Sequence, residues 1–366
     1  MASRTKEDLQ MNSAIPTEPS AHAPARSTAS RWAVVLMAGA MLIFGFAATK
    51  GCTNSAGKTK SNKLQVLATT AMVGDVVKAV GGDQIEVTVL LGPGVDPHLY
   101  RPTRDDMAQI KEADVVFYSG LMLEGKMSFT LEKVGKSKQV IAVTEHLDKD
   151  KLLSDSERSG HADPHVWFDV ELWSLTADKV ATVLGEELPD YQGTFQANSE
   201  KYQAELQLLA DDAKAALATI PEDQRILITS HDAFGYLGRA YGIDVMGVQG
   251  ISTDSEAGLQ RINELVDLIV EKKVPAVFVE TSVNGKSIQA LIDGANSRGH
   301  SVTIGGELFS DAAGEEGTYE GTYLGMIDHN VTLITRALGG EAPENGLRGK
   351  LSMDADTINE SSNAPN

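Results

Sequence analysis

The stretch FQANSEKYQAELQLLADDAKAALA, from Phe195 to Ala218, decides the architecture of this chain of 366 residues. It contains neither proline nor glycine, and its apolar residues recur at helical spacing, so it predicts one long α-helix. Gly193 and Thr194 precede the stretch and Pro221 follows it, which is typical of helix boundaries. At 1.5 Å per residue this helix spans about 36 Å, enough to run across two lobes as a rigid connector.

On both sides of this helix, short aliphatic runs alternate with helical stretches. The runs are too apolar on both faces for half-exposed antiparallel strands, so a parallel sheet covered by helices is expected in each half. The predicted strands are residues 64–68, 85–91, 114–118 and 139–143 before the helix and 226–229, 245–248, 276–279 and 301–304 after it. We therefore predict an α/β fold with two lobes, each a mostly parallel sheet flanked by helices, joined by one long rigid helix.

These patterns also predict where the parts of the chain begin and end. Length and a hydrophobic content of 42% allow two units with cores of their own. Residues 339–366, rich in Gly, Asn, Ser and Pro, are predicted to be a disordered tail. The full division is an export signal or membrane anchor at 1–52, a polar tether at 53–63, an N-terminal lobe at 64–190, the linking helix at 191–220 and a C-terminal lobe at 221–338.

The N-terminal segment is typical of an exported protein. The run from Ala33 to Ala48 has no polar side chain and follows Arg31, but it is short for a membrane span of about 20 residues. Cys52, the only cysteine, lies just beyond it, which excludes an intramolecular disulfide and a thiolate zinc site. A lipidated cysteine usually follows an apolar residue and two small ones, and residues 49–51 depart from that pattern. Three interpretations therefore stay open: a lipidated Cys52, an uncleaved signal anchor or an incidental cysteine.

The formal charge of the chain is −19 at pH 7. An acidic surface repels phosphate groups, so nucleic acid is not expected as a partner. The same charge concentrates cations, although solubility alone explains it equally well.

Three histidines recur at nearly equal intervals. Asp-Pro-His occurs twice, ending at His98 and His165, and His231 follows 66 residues after the second. Proline fixes its own φ and keeps the preceding residue extended, so each motif predicts a rigid loop after a strand. Asp311 lies in a comparable loop after the last predicted strand. A single histidine is usually a surface residue, but four such loops from two lobes could converge, and three imidazoles with one carboxylate suit a borderline divalent cation.

Four blocks of sequence resemble the zinc- and manganese-binding solute receptors of ABC transporters, in particular their TroA-like subgroup. The resemblance is collinear over about residues 64–338, and its blocks are Gly92–Tyr100, Asp163–Asp169, Ser230–Tyr236 and Gly305–Asp311. It implies His98, His165, His231 and Asp311 as metal ligands. It also implies a receptor without catalytic activity that carries Zn²⁺ or Mn²⁺ as transported ligand to a membrane permease. Such a receptor is expected to be a monomer at the periplasm or the extracytoplasmic face, held at the membrane by an N-terminal anchor or lipid.

Two other functions are weighed against this one. A zinc-dependent hydrolase needs an open coordination position, which Asp311 would fill, and the chain has no His-Glu-x-x-His helix. Ser230, His231 and Asp232 have the residue types of a hydrolytic triad, but neighbours in sequence point in divergent directions. A surface adhesin with a structural metal also stays open.

Three further acids and the choice of metal are less determined by the sequence. Glu280 ends an apolar strand and is expected to have a supporting role, while Asp169 and Asp232 could orient a ligating histidine through its second nitrogen. Manganese-selective relatives tend to carry an acid at the block of His231, which favours zinc. The His-rich acidic loop of dedicated zinc receptors is absent between residues 145 and 160, so zinc and manganese both stay open.

Overall fold

The computed structural model describes residues 63–155 and 158–352, which form eight strands and ten α-helices. The predicted export signal, Cys52 and most of the polar tether lie outside the described residues. The strands are β1 (Leu64–Ala68), β2 (Ile85–Val89), β3 (Val115–Tyr118), β4 (Gln139–Ala142), β5 (Ile226–His231), β6 (Asp244–Gln249), β7 (Ala276–Glu280) and β8 (Thr303–Leu308). The helices are α1 (Ala71–Gly81), α2 (Arg104–Glu112), α3 (Gly125–Gly135), α4 (Val170–Ser174), α5 (Thr176–Glu187), α6 (Gln192–Leu217), α7 (Gly235–Tyr241), α8 (Leu259–Lys272), α9 (Lys286–Ser297) and α10 (Tyr323–Ala337).

The N-terminal lobe is built on one parallel sheet with strand order β2-β1-β3-β4. In its centre Val66 pairs with Val87 on one side and with Val115 on the other. Helix α1 follows β1 because Thr70 caps its first turn, accepting a hydrogen bond from the backbone N–H of Val73. The helix buries a valine-rich face in the main core, as a crossover helix between parallel strands requires.

The C-terminal lobe departs in one respect from the predicted single sheet. Strand β5 pairs with β6 and β7 pairs with β8, both in parallel, and within the described residues these form two separate two-stranded sheets. The register between β7 and β8 also shifts between Val277 and Phe278. Such a bulge bends a strand and locally disrupts its pairing, which a pattern of apolar residues does not encode. Strand β5 is nevertheless buried along its whole length, as predicted for an interior strand.

Helix α6 is the predicted connector. It extends over 26 residues, about 39 Å at 1.5 Å per residue, and it is uninterrupted. One face is buried along its length, from Phe195 through Leu206 to Leu217. This face contacts α1, α4 and α5 of the N-terminal lobe and α10 of the C-terminal lobe. The predicted α/β fold with two lobes joined by one long helix is confirmed.

The described part of the tail is ordered, which differs from the prediction of disorder from residue 339. The buried carboxylate of Asp328 on α10 accepts hydrogen bonds from the backbone N–H groups of Leu347 (2.6 Å) and Arg348 (3.2 Å). Leu351 is buried beside this turn. A polar segment with little apolar surface is ordered here by an acceptor that lies in the lobe, which its own composition cannot reveal. Residues 353–366 lie outside the described residues.

None of the helices in the described ranges has both the length and the apolar character needed to cross a membrane.

Candidate metal centre

The four residues singled out in the sequence all lie at or beyond the carboxyl ends of strands. His231 is the last residue of β5, and Asp311 follows β8 by three residues. His98 lies in the loop between β2 and α2, and His165 lies in the long connection between β4 and α4. Parallel strands bring their carboxyl ends to one edge, where α/β proteins form their ligand sites. The fold therefore places two of these residues on each lobe, facing one another across the interface.

The structure brings these four side chains together, and we call the cluster the cage. One nitrogen of each imidazole and one oxygen of Asp311 lie within 4.8 Å of one another. The Nε2 atoms of His98 and His165 are 3.3 Å apart. Oxygens of Asp311 lie 3.3 Å from Nε2 of His165, 3.4 Å from Nε2 of His231 and 3.7 Å from Nε2 of His98. The exposed fraction is 5% for His98 and 1% or less for the other three.

These spacings suit an ion at the centre better than direct hydrogen bonds between the side chains. Charge-assisted N–H···O bonds are about 2.7–2.9 Å long, shorter than every carboxylate–imidazole distance in the cage. Zinc bonds of about 2.0–2.1 Å in a tetrahedron place neighbouring ligand atoms about 3.3–3.4 Å apart. Within the described part of the chain, both carboxylate oxygens of Asp311 and Nε2 of His231 are buried without a hydrogen-bond partner. Buried polar atoms are rarely left unpaired, so the cage has the donor set and the spacing for a divalent cation.

Carboxylates behind the cage orient two of the three imidazoles. Nδ1 of His231 hydrogen-bonds Glu280, whose other carboxylate oxygen accepts from the backbone N–H of His231 at 2.8 Å. Nδ1 of His165 lies 2.7 Å from Oδ1 of Asp163, so both rings turn Nε2 toward the centre. This arrangement is typical of metal-binding histidines. The supporting role expected of Glu280 is in place, and Asp163 is a partner that the sequence interpretation missed.

The other two acids proposed as orienting partners have different contacts. Asp169 caps α4, accepting a hydrogen bond from the backbone N–H of Leu172, and its second oxygen pairs with Arg239 at 2.8 Å. Burial raises the pKa of Asp232, and the charges of His165 and His231 oppose this rise. Neither hypothesis of histidine orientation matches these contacts. The Asp-Pro-His motif itself held the signal for Asp163, because an acid two residues before a histidine can reach that ring from within one loop.

The cage separates the titration of its histidines. Burial lowers the pKa of His98 to about 3. Burial also opposes a charge on His165, but the nearby carboxylates of Asp163 and Asp311 outweigh it and raise its pKa to about 9. His231 follows the same logic, and the charges of Glu280 and Asp311 raise its pKa well above the usual value. Against its own burial, Asp311 is held ionised by His231 and His165, so its pKa lies well below the usual value. Without an ion, the cage at neutral pH therefore holds one neutral and two charged imidazoles.

Two α/β lobes on one helix, with a three-histidine, one-carboxylate cage between them, define a class of two-lobed binding proteins, and comparison with known proteins gives the family. The family model described as ZnuA, zinc-uptake complex component A, periplasmic, matches residues 66–337. This chain belongs to that family. The predicted resemblance to metal-binding solute receptors is confirmed.

Individual relatives agree with this membership. The chain is 48% identical over 300 residues to the manganese-binding lipoprotein MntA of Bacillus subtilis, covering 82% of this chain and 98% of the relative. It is 42% identical over 297 residues to the zinc-binding protein TroA of Treponema pallidum, covering 81% and 95%. The solved structure of that TroA superposes with a TM-score of 0.73 over 75% of this chain and 99% of the other, at 43% identity. The structure of Fe(III)-bound YtgA from Chlamydia trachomatis superposes with a TM-score of 0.69 at 27% identity, covering 76% and 99%.

Proposed function

We propose that this protein is an extracytoplasmic receptor that captures a divalent transition metal ion, zinc or manganese, and delivers it to the permease of an ABC transporter. The observation that carries the proposal is the cage, in which four ligand-type side chains surround one point and both oxygens of the buried Asp311 lack a hydrogen-bond partner. Membership of a zinc-uptake family supports the same function.

In this proposal the ion is cargo, held by Nε2 of His98, His165 and His231 and by the carboxylate of Asp311. Each lobe supplies two of the four ligands, so the bound ion cross-links the lobes. Catalytic zinc sites keep a position open for water, and Asp311 takes that position here. The cage therefore supports binding and release rather than hydrolysis, in keeping with a family of transport proteins.

The proposed function applies to zinc and to manganese as alternative cargo ions. The Bacillus relative is named for manganese and the Treponema relative for zinc, although the chain is similar to both. A given nitrogen and oxygen site binds zinc more tightly than manganese, so geometry and supply decide which ion is carried. The three-histidine donor set favours zinc as the tighter ligand.

The remaining parts of the chain complete the proposed receptor. We propose residues 64–190 and 221–338 as the two lobes, 191–220 as their connector, and a monomer as the functional form. The B. subtilis relative is a lipoprotein, which supports attachment of this chain to the extracytoplasmic face of the membrane through Cys52. An uncleaved anchor at residues 33–48 would give the same location.

Metal analysis of the full chain tests this function. The protein, kept in mild detergent, is purified without added metal, its metal content is measured, and zinc and manganese are titrated against a competing dye. We expect one ion per chain and at least a tenfold loss of affinity, about 1.4 kcal/mol, when any one cage histidine is replaced by alanine. His146→Ala is the matched control, because this histidine is exposed, hydrogen-bonds the carbonyl of Leu175 and is not part of the cage. Unchanged affinity in two of the three cage variants would overturn the site.

A further inference from the structure

Buried hydrogen bonds fix the part of the cage that contains His165 and Asp311. The ring N–H of Trp167 donates to the carbonyl of Ser310 at 3.1 Å, and the hydroxyl of Tyr323 donates to the carbonyl of Trp167 at 2.6 Å. The hydroxyl of Tyr236 donates to the carbonyl of Asp163 at 2.9 Å. All three bonds cross from one lobe to the other in the core. Opening the lobes there would leave buried polar groups unpaired, which is costly.

His98 is held in a different way. It is the most exposed of the cage residues, and a cavity of about 10 Å³ lies over it, lined also by Met122, Ile251 and Ser252. The acid of its own motif, Asp96, uses Oδ1 to accept from the backbone N–H of His98 at 2.8 Å. In the second motif Asp163 bonds both the backbone and the ring of its histidine. The ring of His98 therefore depends on the position of its loop.

The second oxygen of Asp96 connects that loop to the opposite lobe. Oδ2 accepts a 2.6 Å hydrogen bond from the hydroxyl of Thr253, which lies in the loop after β6. Lys126 and Asp254 form an ion pair beside it at 3.0 Å, but both side chains are exposed, so this pair contributes little. The bond from Thr253 is short, half-buried and made to a carboxylate, which are the properties of a strong hydrogen bond.

We propose that Thr253 is a positioning residue, which holds His98 in the cage through Asp96 and thereby sets the rate at which the ion leaves. The inference rests on the proposed function of metal capture. Hydrogen bonds break when donor and acceptor separate by about an ångström, so a small opening of the lobes at this rim releases Asp96 from Thr253. The loop of His98 then loses its tie to the C-terminal lobe, while the other three ligands keep their buried supports.

Metal release from the zinc-loaded full chain tests the proposal. Stopped-flow transfer of zinc to an excess of chelating dye gives the dissociation rate constant. We expect Thr253→Val, which keeps the shape but removes the hydroxyl, to raise it about tenfold, equivalent to about 1.4 kcal/mol. Thr253→Ser, which keeps the hydroxyl, stays within about twofold of the unchanged protein, and so does Lys126→Met. The proposal is overturned if Thr253→Val releases zinc at the rate of the unchanged protein, or if Thr253→Ser releases zinc as fast as Thr253→Val.

A double-mutant cycle tests whether Thr253 acts through Asp96. Asp96→Ala removes both carboxylate oxygens, so it breaks the same connection from the other end. If Thr253 acts through Asp96, the double variant releases zinc no faster than Asp96→Ala alone. Additive effects of the two changes contradict the proposal.

Hydrogen exchange of the metal-free protein separates this inference from the proposed function. The backbone N–H of His98 is bonded to Asp96, so Thr253→Val is expected to speed exchange in the peptide of residues 92–101 about tenfold. Thr253→Ser leaves it unchanged. If the unchanged protein binds no zinc, the proposed function fails while this arm still tests Thr253. Binding of zinc together with unaltered exchange and release in Thr253→Val overturns the inference alone.

Discussion

Uptake of one zinc ion by the full chain is expected to release two protons at neutral pH. Metal-binding imidazoles must be neutral, and in the metal-free cage His165, with a pKa of about 9, and His231, with a strongly raised pKa, are both charged at pH 7. His98, with its pKa lowered to about 3, has no proton to lose. Three unperturbed imidazoles with pKa values near 6.5 would instead release almost none at pH 8.

The sign and size of the effect on affinity follow from these pKa values. The metal-free state binds two protons that the metal-bound state lacks, so affinity rises with pH. The contribution of His165 to this rise ends above about pH 9, where its imidazole is neutral without metal. Two protons change affinity about a hundredfold per pH unit, because each contributes 1.36 kcal/mol per unit. Between pH 6 and 8 the affinity should therefore increase by about 10⁴, or about 5.5 kcal/mol. Binding falls steeply from pH 7 to 5 for the same reason.

Calorimetry measures the proton count directly. Zinc is titrated into the metal-free full chain at pH 8 in buffers with different enthalpies of protonation, and the slope of observed heat against buffer enthalpy gives the protons released. The expected slope is two. Asp163→Asn is the informative variant, since Asp163 contributes the largest pKa-raising charge to His165, and its slope should fall toward one. Release of less than one proton by the unchanged protein, or affinity that is flat from pH 6 to 8, would refute the account of the cage charges.

The backbone at Gly125, the buried carboxyl of Asp75 and the stability of the zinc-bound protein can each be tested separately. Gly125→Ala should weaken zinc binding at least tenfold in dye competition, because the new Cβ would lie 2.3 Å from the carbonyl oxygen of His98 and φ of Gly125 is +30°. Gly193→Ala is the control: its Cβ position has open space around it, so this variant should bind zinc as the unchanged protein does. Asp75→Asn should raise the free energy of unfolding by about 2 kcal/mol at pH 8 and change it little at pH 4. Burial raises the pKa of Asp75 to about 6, so ionising this carboxyl destabilises the folded protein. The destabilisation is absent below the usual pKa and grows as pH rises through 6. Equal effects in denaturant titrations at the two pH values would contradict this. Zinc at a hundredfold excess over Kd should stabilise the protein by about 2.7 kcal/mol. Small-angle scattering should show little compaction on binding, because buried hydrogen bonds already join the lobes without metal. A large compaction would show that α6 is not a rigid connector.

Much of the fold was predictable because its signals are local. The 26-residue helix shows in the absence of glycine and proline over residues 195–218, and the parallel strands show as apolar runs. What failed depended on partners distant in sequence. Strands β7 and β8 pair with each other in a sheet separate from that of β5 and β6, and the order of residues 345–351 depends on the buried carboxylate of Asp328. Neither partner can be found by reading those segments alone.

The four cage residues were predictable from sequence motifs, whereas the contacts of the acids behind them were not. The repeated Asp-Pro-His motif and the collinear family blocks point to the four residues that the structure brings together. The roles of the acids depend on side-chain direction, so Asp163 and Asp169, six residues apart, have different contacts: Asp163 orients His165 and Asp169 caps α4. The pKa order of the histidines is a property of the assembled cage, because burial and the carboxylates decide it together.

Anomalous X-ray diffraction at the zinc edge, from crystals of the zinc-loaded protein, locates the bound ion directly. We predict one strong peak per chain, about 2.0–2.2 Å from Nε2 of His98, His165 and His231 and from a carboxylate oxygen of Asp311. A principal peak elsewhere on the acidic surface, or an ion at this point that His98 and Asp311 do not reach, would contradict it.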